Sequence, residues 1–443
     1  MTDPWLAAAL AGACWGLAPY DGLGAMLALL GARFAALAIA GDRWDLARGY
    51  LIGVLWLAGA YAFVPLGWER FASGDDGGRL YVAAVVLHAL PLALAFGVAR
   101  RPILLAPAAI VAEALANELL PMPAGVSVLL VGAPALLAPA AIFGRPVLAG
   151  LLLAWGALPW RAAAAALAGW LWFGALWQMV VRADPPDVDV TIVQPDTGAF
   201  DGRRPSRFVD HAAAFATLAR VPDSLVIAPE GAWSLTSRDL ERAFVGTTGT
   251  VVVGASWDER NTLAVVTNGV VTERFDKQVL APLGERKVFG LGRDRYVAGT
   301  GARRLTVGST TVSPLICYED AVPSAVRGVD ASFVVLATND SWLGPVGAEA
   351  HAAMARLLAV ESGRWVVRAA TSGPSMFVDP SGVFVARTPW LDGDRTPSPG
   401  RRLRGRVASR VPAWNGANIA PLTSVIALFS LVAARWRRRP VLS

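Results

Sequence analysis

The sequence predicts an α-helical membrane bundle of about eight transmembrane helices joined to one mixed α/β domain. Three observations predict it. The chain has 443 residues, 55% of them hydrophobic, and a mean hydropathy of +0.47, too apolar for a wholly soluble protein. Its charged residues, 17% of the total, are unevenly spread, and long apolar segments occupy residues 5–181 and 419–434. From 188 to about 410 the pattern changes to short β-branched runs between turn residues and amphipathic stretches, the signature of a mixed α/β domain.

The first five predicted spans are residues 5–18, 23–40, 49–66, 80–98 and 102–119, separated by short loops with Gly, Pro or Arg. Some fall short of the roughly 20 residues that cross a bilayer, so tilt or local thinning is required. The N-terminus lacks the basic region of a cleavable signal peptide, so the first segment is expected to be retained. A long apolar region, 124–181, is cut by Pro134, Pro139, Gly144-Arg145-Pro146 and Leu158-Pro159-Trp160-Arg161. Charge decides how to divide it. With 142–159 and 162–181 as spans six and seven, and 124–141 interfacial or dipping in without crossing, the α/β domain lies outside. The closing span, 419–434, then returns Arg435, Arg437, Arg438 and Arg439 to the cytoplasm. The same topology keeps Arg43, Arg48, Arg100, Arg101 and Arg161 inside. Arg70 and Arg79 lie outside beside Glu69, Asp75 and Asp76, with Arg145 and Arg182 at outer span edges. Three crossings in 124–181 would strand the basic tail outside.

The expected organisation is therefore a seven-span bundle over 1–183, an extracytoplasmic domain over 184–412, and a final helix with a basic cytoplasmic tail over 413–443. Within the domain, residues 188–193, 224–228, 251–256, 263–267, 270–275, 311–316, 333–336 and 364–369 read as strands. Residues 207–218 and 349–361 read as helices. The net charge of +6 and pI near 9.8 would permit nucleic-acid binding, but the dense basic run follows directly on an apolar stretch, which is an anchor pattern. No nucleic-acid partner, nucleotide or cofactor is expected. With only Cys14 and Cys317, one in the first apolar segment, neither a disulfide framework nor a zinc motif is available, and no metal is expected.

Three rarities mark a site. Cys317 is the only cysteine in the polar half of the chain, in Ser313-Pro-Leu-Ile-Cys-Tyr-Glu-Asp320. Of 40 basic residues only Lys277 and Lys287 are lysines, so a lysine here suggests a compact ammonium doing what a guanidinium cannot. Glu230 closes the apolar run Leu225-Val-Ile-Ala-Pro-Glu230. Taken singly, each has a plainer reading: a buried structural cysteine, a surface charge, a helix cap. Placed together at strand ends, they are the parts of a nucleophilic acyl-transfer site: a thiol, a carboxylate to take its proton, and an ammonium for the oxyanion.

These residues and their surroundings resemble the nitrilase superfamily, whose enzymes use a Glu, Lys and Cys triad on an αββα sandwich. With the membrane segments added, the resemblance narrows to the bacterial apolipoprotein N-acyltransferase family. It rests on Ala228-Pro-Glu-Gly-Ala232, Phe275-Asp-Lys-Gln-Val-Leu-Ala-Pro-Leu-Gly-Glu285, Ile316-Cys-Tyr-Glu319, Asn339-Asp-Ser-Trp-Leu-Gly344 and His351-Ala-Ala-Met-Ala-Arg356. The stretches Glu361-Ser-Gly-Arg-Trp-Val-Val-Arg368 and Ser372-Gly-Pro-Ser375 continue it. The resemblance implies Glu230 as general base, Lys277 as oxyanion stabiliser and Cys317 as nucleophile. It implies Glu285 as a second glutamate supporting the lysine, and Tyr318, Glu319 and Trp342 as residues shaping the pocket. Packing or structural hydrogen bonding is the alternative for those three. His351, in an alanine- and leucine-rich helix, reads as structural. Glu113, an ionisable residue in a predicted span, matches a family glutamate.

The implied activity is membrane N-acyl transfer. An acyl chain moves from a membrane phospholipid, through a Cys317 thioester, to the α-amine of the diacylglyceryl cysteine of an apolipoprotein, at the bacterial inner membrane with the catalytic domain on the periplasmic side. A membrane-bound amidase, or an acyltransferase with another amine acceptor, would use the same triad. A non-catalytic binding module on a membrane bundle is a third reading. The chain departs from the family pattern in a shortened basic arm between Glu285 and Arg303, in Asp276 and Phe200, and in lacking an arginine after Glu113. Those departures bear on acceptor recognition.

Overall fold

The computed structural model describes residues 3–18, 21–65, 76–120, 125–181, 187–194, 225–232, 241, 244–245, 248–288, 290, 292, 294–390, 401–409 and 420–436. The helix expected over 207–218 lies outside them, as do Phe200, Glu69, Arg70, Asp75, Arg182 and residues 437–439. The chain divides into two compact units, Met1–Val180 with Trp414–Ser443, and Val181–Ala413.

The first unit is helical. Its elements are α1 (Pro4–Gly16), α2 (Gly22–Leu37), α3 (Asp45–Ala60), α4 (Asp76–His88), α5 (Leu90–Ala99), α6 (Pro102–Leu119), a 3-10 turn η1 (Val126–Leu130), α7 (Pro134–Phe143), α8 (Pro146–Ala157) and α9 (Trp160–Val181). Proline stands in the first turn of α1, α5, α6, α7 and α8, where its missing N–H costs nothing, so the sequence interruptions are helix starts. The helix within the expected sixth span, 142–159, is shorter than that span. The break at Gly144-Arg145-Pro146 delays its helix to Pro146–Ala157, and 12 residues at 1.5 Å each are well short of a hydrocarbon core. By length and composition, three helices among the described residues can cross a membrane: Gly77–Ala99, Pro102–Leu119 and Trp160–Val181.

One contact joins α1 to α2, and one local ion-pair cluster holds a buried charge at the start of α3. The Trp15 indole N–H of α1 donates to Ala28 O of α2 at 3.0 Å. Arg48, buried in α3, pairs with Asp45 at 2.5 Å and Asp42 at 2.7 Å, which offsets the cost of removing its charge from water. In α9 only Ala163 and Gly174 are buried, while Trp160, Trp172, Met179 and Val180 are exposed. An apolar surface of that extent is unfavourable in water and favourable in lipid.

The second unit holds two six-stranded sheets. The first runs β12-β1-β2-β3-β4-β5 and the second β11-β10-β9-β8-β7-β6. The strands of the first are β1 (Val188–Gln194), β2 (Leu225–Ile227), β3 (Thr250–Trp257), β4 (Arg260–Thr267), β5 (Val270–Asp276) and β12 (Arg401–Val407). Those of the second are β6 (Leu305–Val307), β7 (Thr310–Ile316), β8 (Phe333–Thr338), β9 (Val366–Ala370), β10 (Met376–Val378) and β11 (Phe384–Arg387). Each sheet is parallel at its centre, β1-β2-β3 and β7-β8-β9, with antiparallel strands at its edges. Strands β6, β10, β11 and β12 were not predicted, because three or four residues, or an arginine-rich run, carry no clear alternation.

Apolar residues of both sheets meet in one core. Val190, Ile192, Ile227, Val252 and Leu263 of the first pack with Ile316, Phe333, Val335, Val367 and Phe377 of the second. Close approach is needed at Gly405 of β12, where a Cβ would stand 2.8 Å from the Phe377 ring. Outside the second sheet lies α11 (Gly344–Ser362), which follows a short helix α10 (Pro323–Arg327) and starts five residues earlier than the 349–361 expected. Outside the first sheet, Val193, Val226, Val251, Val253 and Phe244 form a second apolar layer. The last helix, α12 (Ala420–Trp436), belongs to the first unit and packs on α6 and α8.

Because Phe377 is 1% exposed and spans the two sheets, Phe377→Ala should cost about 3–5 kcal/mol of domain stability. Denaturant unfolding followed by tryptophan fluorescence would measure it. A cost below about 1 kcal/mol, the level of a surface change, would mean that the sheets do not meet at this ring.

Candidate active site

Parallel strands end where chemistry is usually placed, at their carboxyl edges. Glu230 lies in the turn three residues past β2, Cys317 directly follows β7, and Asn339 directly follows β8. Lys277 follows β5. The structure brings these elements together: Lys277 Nζ lies 2.8 Å from Glu285 Oε2 and 3.8 Å from Glu230 Oε1. The charges of both Glu230 and Lys277 act on the Cys317 thiol.

Lys277 is 1% exposed, so its ammonium depends on those carboxylates. Burial alone would depress it, but Glu285 and Glu230 outweigh that effect and hold it above the usual lysine range. Glu230 is fixed at both oxygens. Asn261 Nδ2 donates to Oε1 at 2.6 Å, and the Asn339 amide donates to Oε2 at 2.7 Å. Burial nonetheless raises the Glu230 carboxyl above its ordinary value, with the charge of Glu285 adding to the rise and Lys277 opposing it. Asn261 Nδ2 also donates to Glu285 Oε1 at 2.8 Å, so one amide holds both carboxylates beside the lysine. Gly254 of β3 leaves the room required, since a Cβ there would stand 2.6 Å from Glu230 Cα.

Cys317 is held at φ +50°, left-handed backbone that non-glycine residues avoid at a cost of about 1–3 kcal/mol. Glu319, wholly buried, secures the turn. Its Oε2 accepts from the Ile316 amide at 3.0 Å, its Oε1 accepts from the Gln278 and Val279 amides at 2.9 and 3.0 Å, and Arg303 pairs with it at 3.0 Å. One carboxylate thus ties the strand entering Cys317 to the residues that follow Lys277. Burial, with the charge of Glu230, pushes the thiol well above its usual range, so the resting sulfur is protonated. Burial also pushes the half-buried Tyr318 phenol up to about 12, although Arg286 and Lys277 pull it down.

Trp342 lies half-buried in the turn between β8 and α11. Glu113 lies in α6 of the other unit, buried, with Oε2 accepting from the Ser127 amide at 3.2 Å. Asp276 accepts from the Thr262 hydroxyl at 2.7 Å and lies within 4 Å of Arg260 and Arg274, at the edge of its sheet. In the shortened arm, the Arg295 amide donates to Glu285 O at 2.9 Å, which closes the loop around that glutamate. Sequence reasoning missed Asn261, whose one signal is an amide beginning a long apolar strand. It also missed the ion pairs of Asp320 and Asp340. Among the described residues no group of His, Cys, Asp or Glu side chains is arranged to hold a metal ion.

A protonated thiol, a carboxylate of raised proton affinity and a buried ammonium can together open a carbonyl, hold the oxyanion and return the proton to a leaving group. Residues 268–393 match the carbon-nitrogen hydrolase family. Curated relatives include the apolipoprotein N-acyltransferase of Gloeobacter violaceus, 33% identical over 36% of this chain and 33% of that one. The enzyme of the same name from Pseudomonas paraeruginosa is 32% identical over 40% of this chain and 37% of its own. The matches thus span about a third of the length of those relatives. A solved CN-hydrolase superfamily protein from Xanthomonas campestris overlays 57% of this chain and 95% of its own, at 17% identity and a TM-score of 0.39. Over residues 268–393 the chain therefore carries a segment that matches the carbon-nitrogen hydrolase family, and it resembles apolipoprotein N-acyltransferases.

Proposed function

We propose that this protein is a membrane N-acyltransferase that carries an acyl chain from a phospholipid, as a thioester on Cys317, to the α-amine of a diacylglyceryl-cysteine apolipoprotein. The observation that carries the reading is Lys277, buried between Glu285 and Glu230 and acting on the thiol of Cys317. The names of the curated relatives support N-acyl transfer and the choice of acceptor.

In the first half-reaction Glu230 takes the thiol proton as sulfur attacks the ester carbonyl carbon. Lys277 stabilises the oxyanion, and the collapsing intermediate expels the lipid alkoxide, which takes the proton back from Glu230. In the second, the amine attacks the thioester, Glu230 accepts its proton, and the departing sulfur is reprotonated. Glu285 keeps the lysine charged and in place throughout. Both substrates are confined to a bilayer, where proximity replaces diffusion through water. That suits a chain proposed to lie in the bilayer through its apolar helices, with residues 184–412 on the periplasmic face of a bacterial inner membrane and the basic tail in the cytoplasm.

Three outcomes follow from this reading. Phospholipid with a labelled acyl chain should leave label on the wild-type protein that hydroxylamine removes, as a thioester requires. Folded Cys317→Ala should carry none, and label persisting there would place the nucleophile elsewhere. Transfer to a lipoprotein amine rather than release of free fatty acid would separate the acyltransferase from an amidase.

In preparations matched for expression and thermal stability, Lys277→Arg should slow acyl-enzyme formation by about 10²- to 10³-fold, because a planar guanidinium cannot occupy the same point beside the oxyanion. Lys287→Arg, half-exposed at the surface, should behave as wild type. Near wild-type rates for Lys277→Arg would remove the lysine from the mechanism.

For topology, single cysteines introduced between residues 188 and 409, in a Cys14→Ala and Cys317→Ala background, should react with an impermeant reagent in intact cells. A cysteine placed after Arg439 should not. Reversed labelling would invert the proposed orientation.

A further inference from the structure

His351 stands in α11 beside the site without touching the proposed base or lysine, and its partners show why it is there. Nδ1 lies 2.8 Å from Asp340 Oδ1 and Nε2 lies 3.3 Å from Asp320 Oδ1. Both aspartates are 0% exposed. A carboxylate accepts only, so a ring with a carboxylate at each nitrogen carries a proton on both. Asp320 sits in the turn η2 (Cys317–Ala321), three residues from the thiol. Asp340 follows Asn339, whose amide holds Glu230 Oε2 at 2.7 Å. Asp340 Oδ2 is in turn bound by buried Arg368 of β9 at 2.6 Å, and the Thr338 hydroxyl donates to Oδ1 at 3.0 Å.

We propose that His351 is a positioning residue for the acyl-transfer site, a cross-brace that ties the nucleophile turn, through Asp320, to the turn holding the base, through Asp340. The proposal rests on the reading of Cys317 as nucleophile and Glu230 as base. Removing the ring has two consequences. Asp320, with Oδ2 lacking a hydrogen-bond partner, loses the cation that bonds it, so η2 is left held by Glu319 with a buried charge unbalanced three residues from the thiol. Asp340, whose charge opposes thiolate formation at Cys317, keeps Arg368 but loses one of its two cations. Both effects make Cys317 less reactive.

Charge also sets the pH range of the brace. Burial opposes the imidazolium, but Asp320 and Asp340 outweigh it and hold the group up to about 10, against an ordinary 6.5. The groups facing it are Asp320 from η2 and Asp340 from the loop after β8, with Arg368 beyond the latter. Because the folded value is the higher one, the brace contributes its full stability below about 6.5 and loses it as pH rises through about 10.

The test is the rate of iodoacetamide alkylation of Cys317 in the full-length Cys14→Ala protein, read by mass spectrometry from about pH 7 to about pH 10, together with melting temperature. His351→Gln should slow alkylation about 10-fold at neutral pH, as for a thiol raised by roughly one unit, and should slow acyl labelling in parallel. A folded His351→Gln with the wild-type rate and pH profile would overturn the proposal. If that variant does not fold, Asp320→Leu decides, since it breaks the brace at the nucleophile end without burying an unpaired charge. Slowed alkylation supports the brace and a wild-type profile overturns it. An inert Cys317 in the parent protein would instead overturn the nucleophile reading beneath it.

Discussion

A lysine taken out of water to 1% exposure must bring its counter-charge with it, and the second unit is arranged around that requirement. Lys277 follows β5, at the edge of one sheet, and its partners come from two other places. Glu285 is carried by the loop after it, 2.8 Å away, and Glu230 by the end of β2, 3.8 Å away. Two carboxylates beside one ammonium would repel each other, and Asn261 answers that by donating to both. The amide comes from β4, the strand between β3 and β5, and its own carbonyl accepts from the Lys277 amide at 2.8 Å. The same residue therefore sets the height of the lysine and the spacing of its partners.

The second sheet supplies the thiol, and it must be presented toward that cluster. A left-handed residue directly after a strand turns the side chain sharply, at an energetic cost that the surroundings must bear. Glu319 bears much of it by accepting three backbone amides from two segments of chain while Arg303 balances its charge. Such a carboxylate is worth more as a strut than as an acid. It converts the loop after Lys277 and the turn at Cys317 into one rigid piece, which a site built on two different sheets would otherwise lack.

How much of this could be read in the sequence differs by element. Chemically distinctive residues were legible: one cysteine in the polar half, two lysines among 40 basic residues, and a glutamate closing an apolar strand. Buried parallel strands such as β7 and β8 were legible too, because burial on both faces makes them continuous β-branched runs. Antiparallel edges were not, since three-residue β6 and β10 offer no period, and β12 reads as a charged loop. Asn261 was invisible because an amide in a strand has many plain uses, and only the fold shows which carboxylates it meets. His351 reads from the sequence as structural. The sequence could not reveal that its two partners lie 31 and 11 residues away, on either side of the proposed site.

Charge balance around the cysteine singles out one group. Arg368 answers Asp340 at 2.6 Å, Arg303 answers Glu319 at 3.0 Å, and Lys277 answers Glu285 at 2.8 Å. His351 answers Asp320, sharing Asp340 with Arg368. Glu230 is left with only the longer 3.8 Å contact to a lysine already engaged. Burial, with the charge of Glu285, outweighs that lysine and the two hydrogen bonds Glu230 accepts, and its proton affinity rises while that of Asp340, equally buried but fully paired, falls below the usual carboxylate range. A carboxylate in that condition can accept a proton at the cost of only the longer of the lysine's two contacts, and give it up again. The surrounding pairs are fixed while this one residue can change its charge, which is the property the base proposed for both halves of an acyl transfer needs.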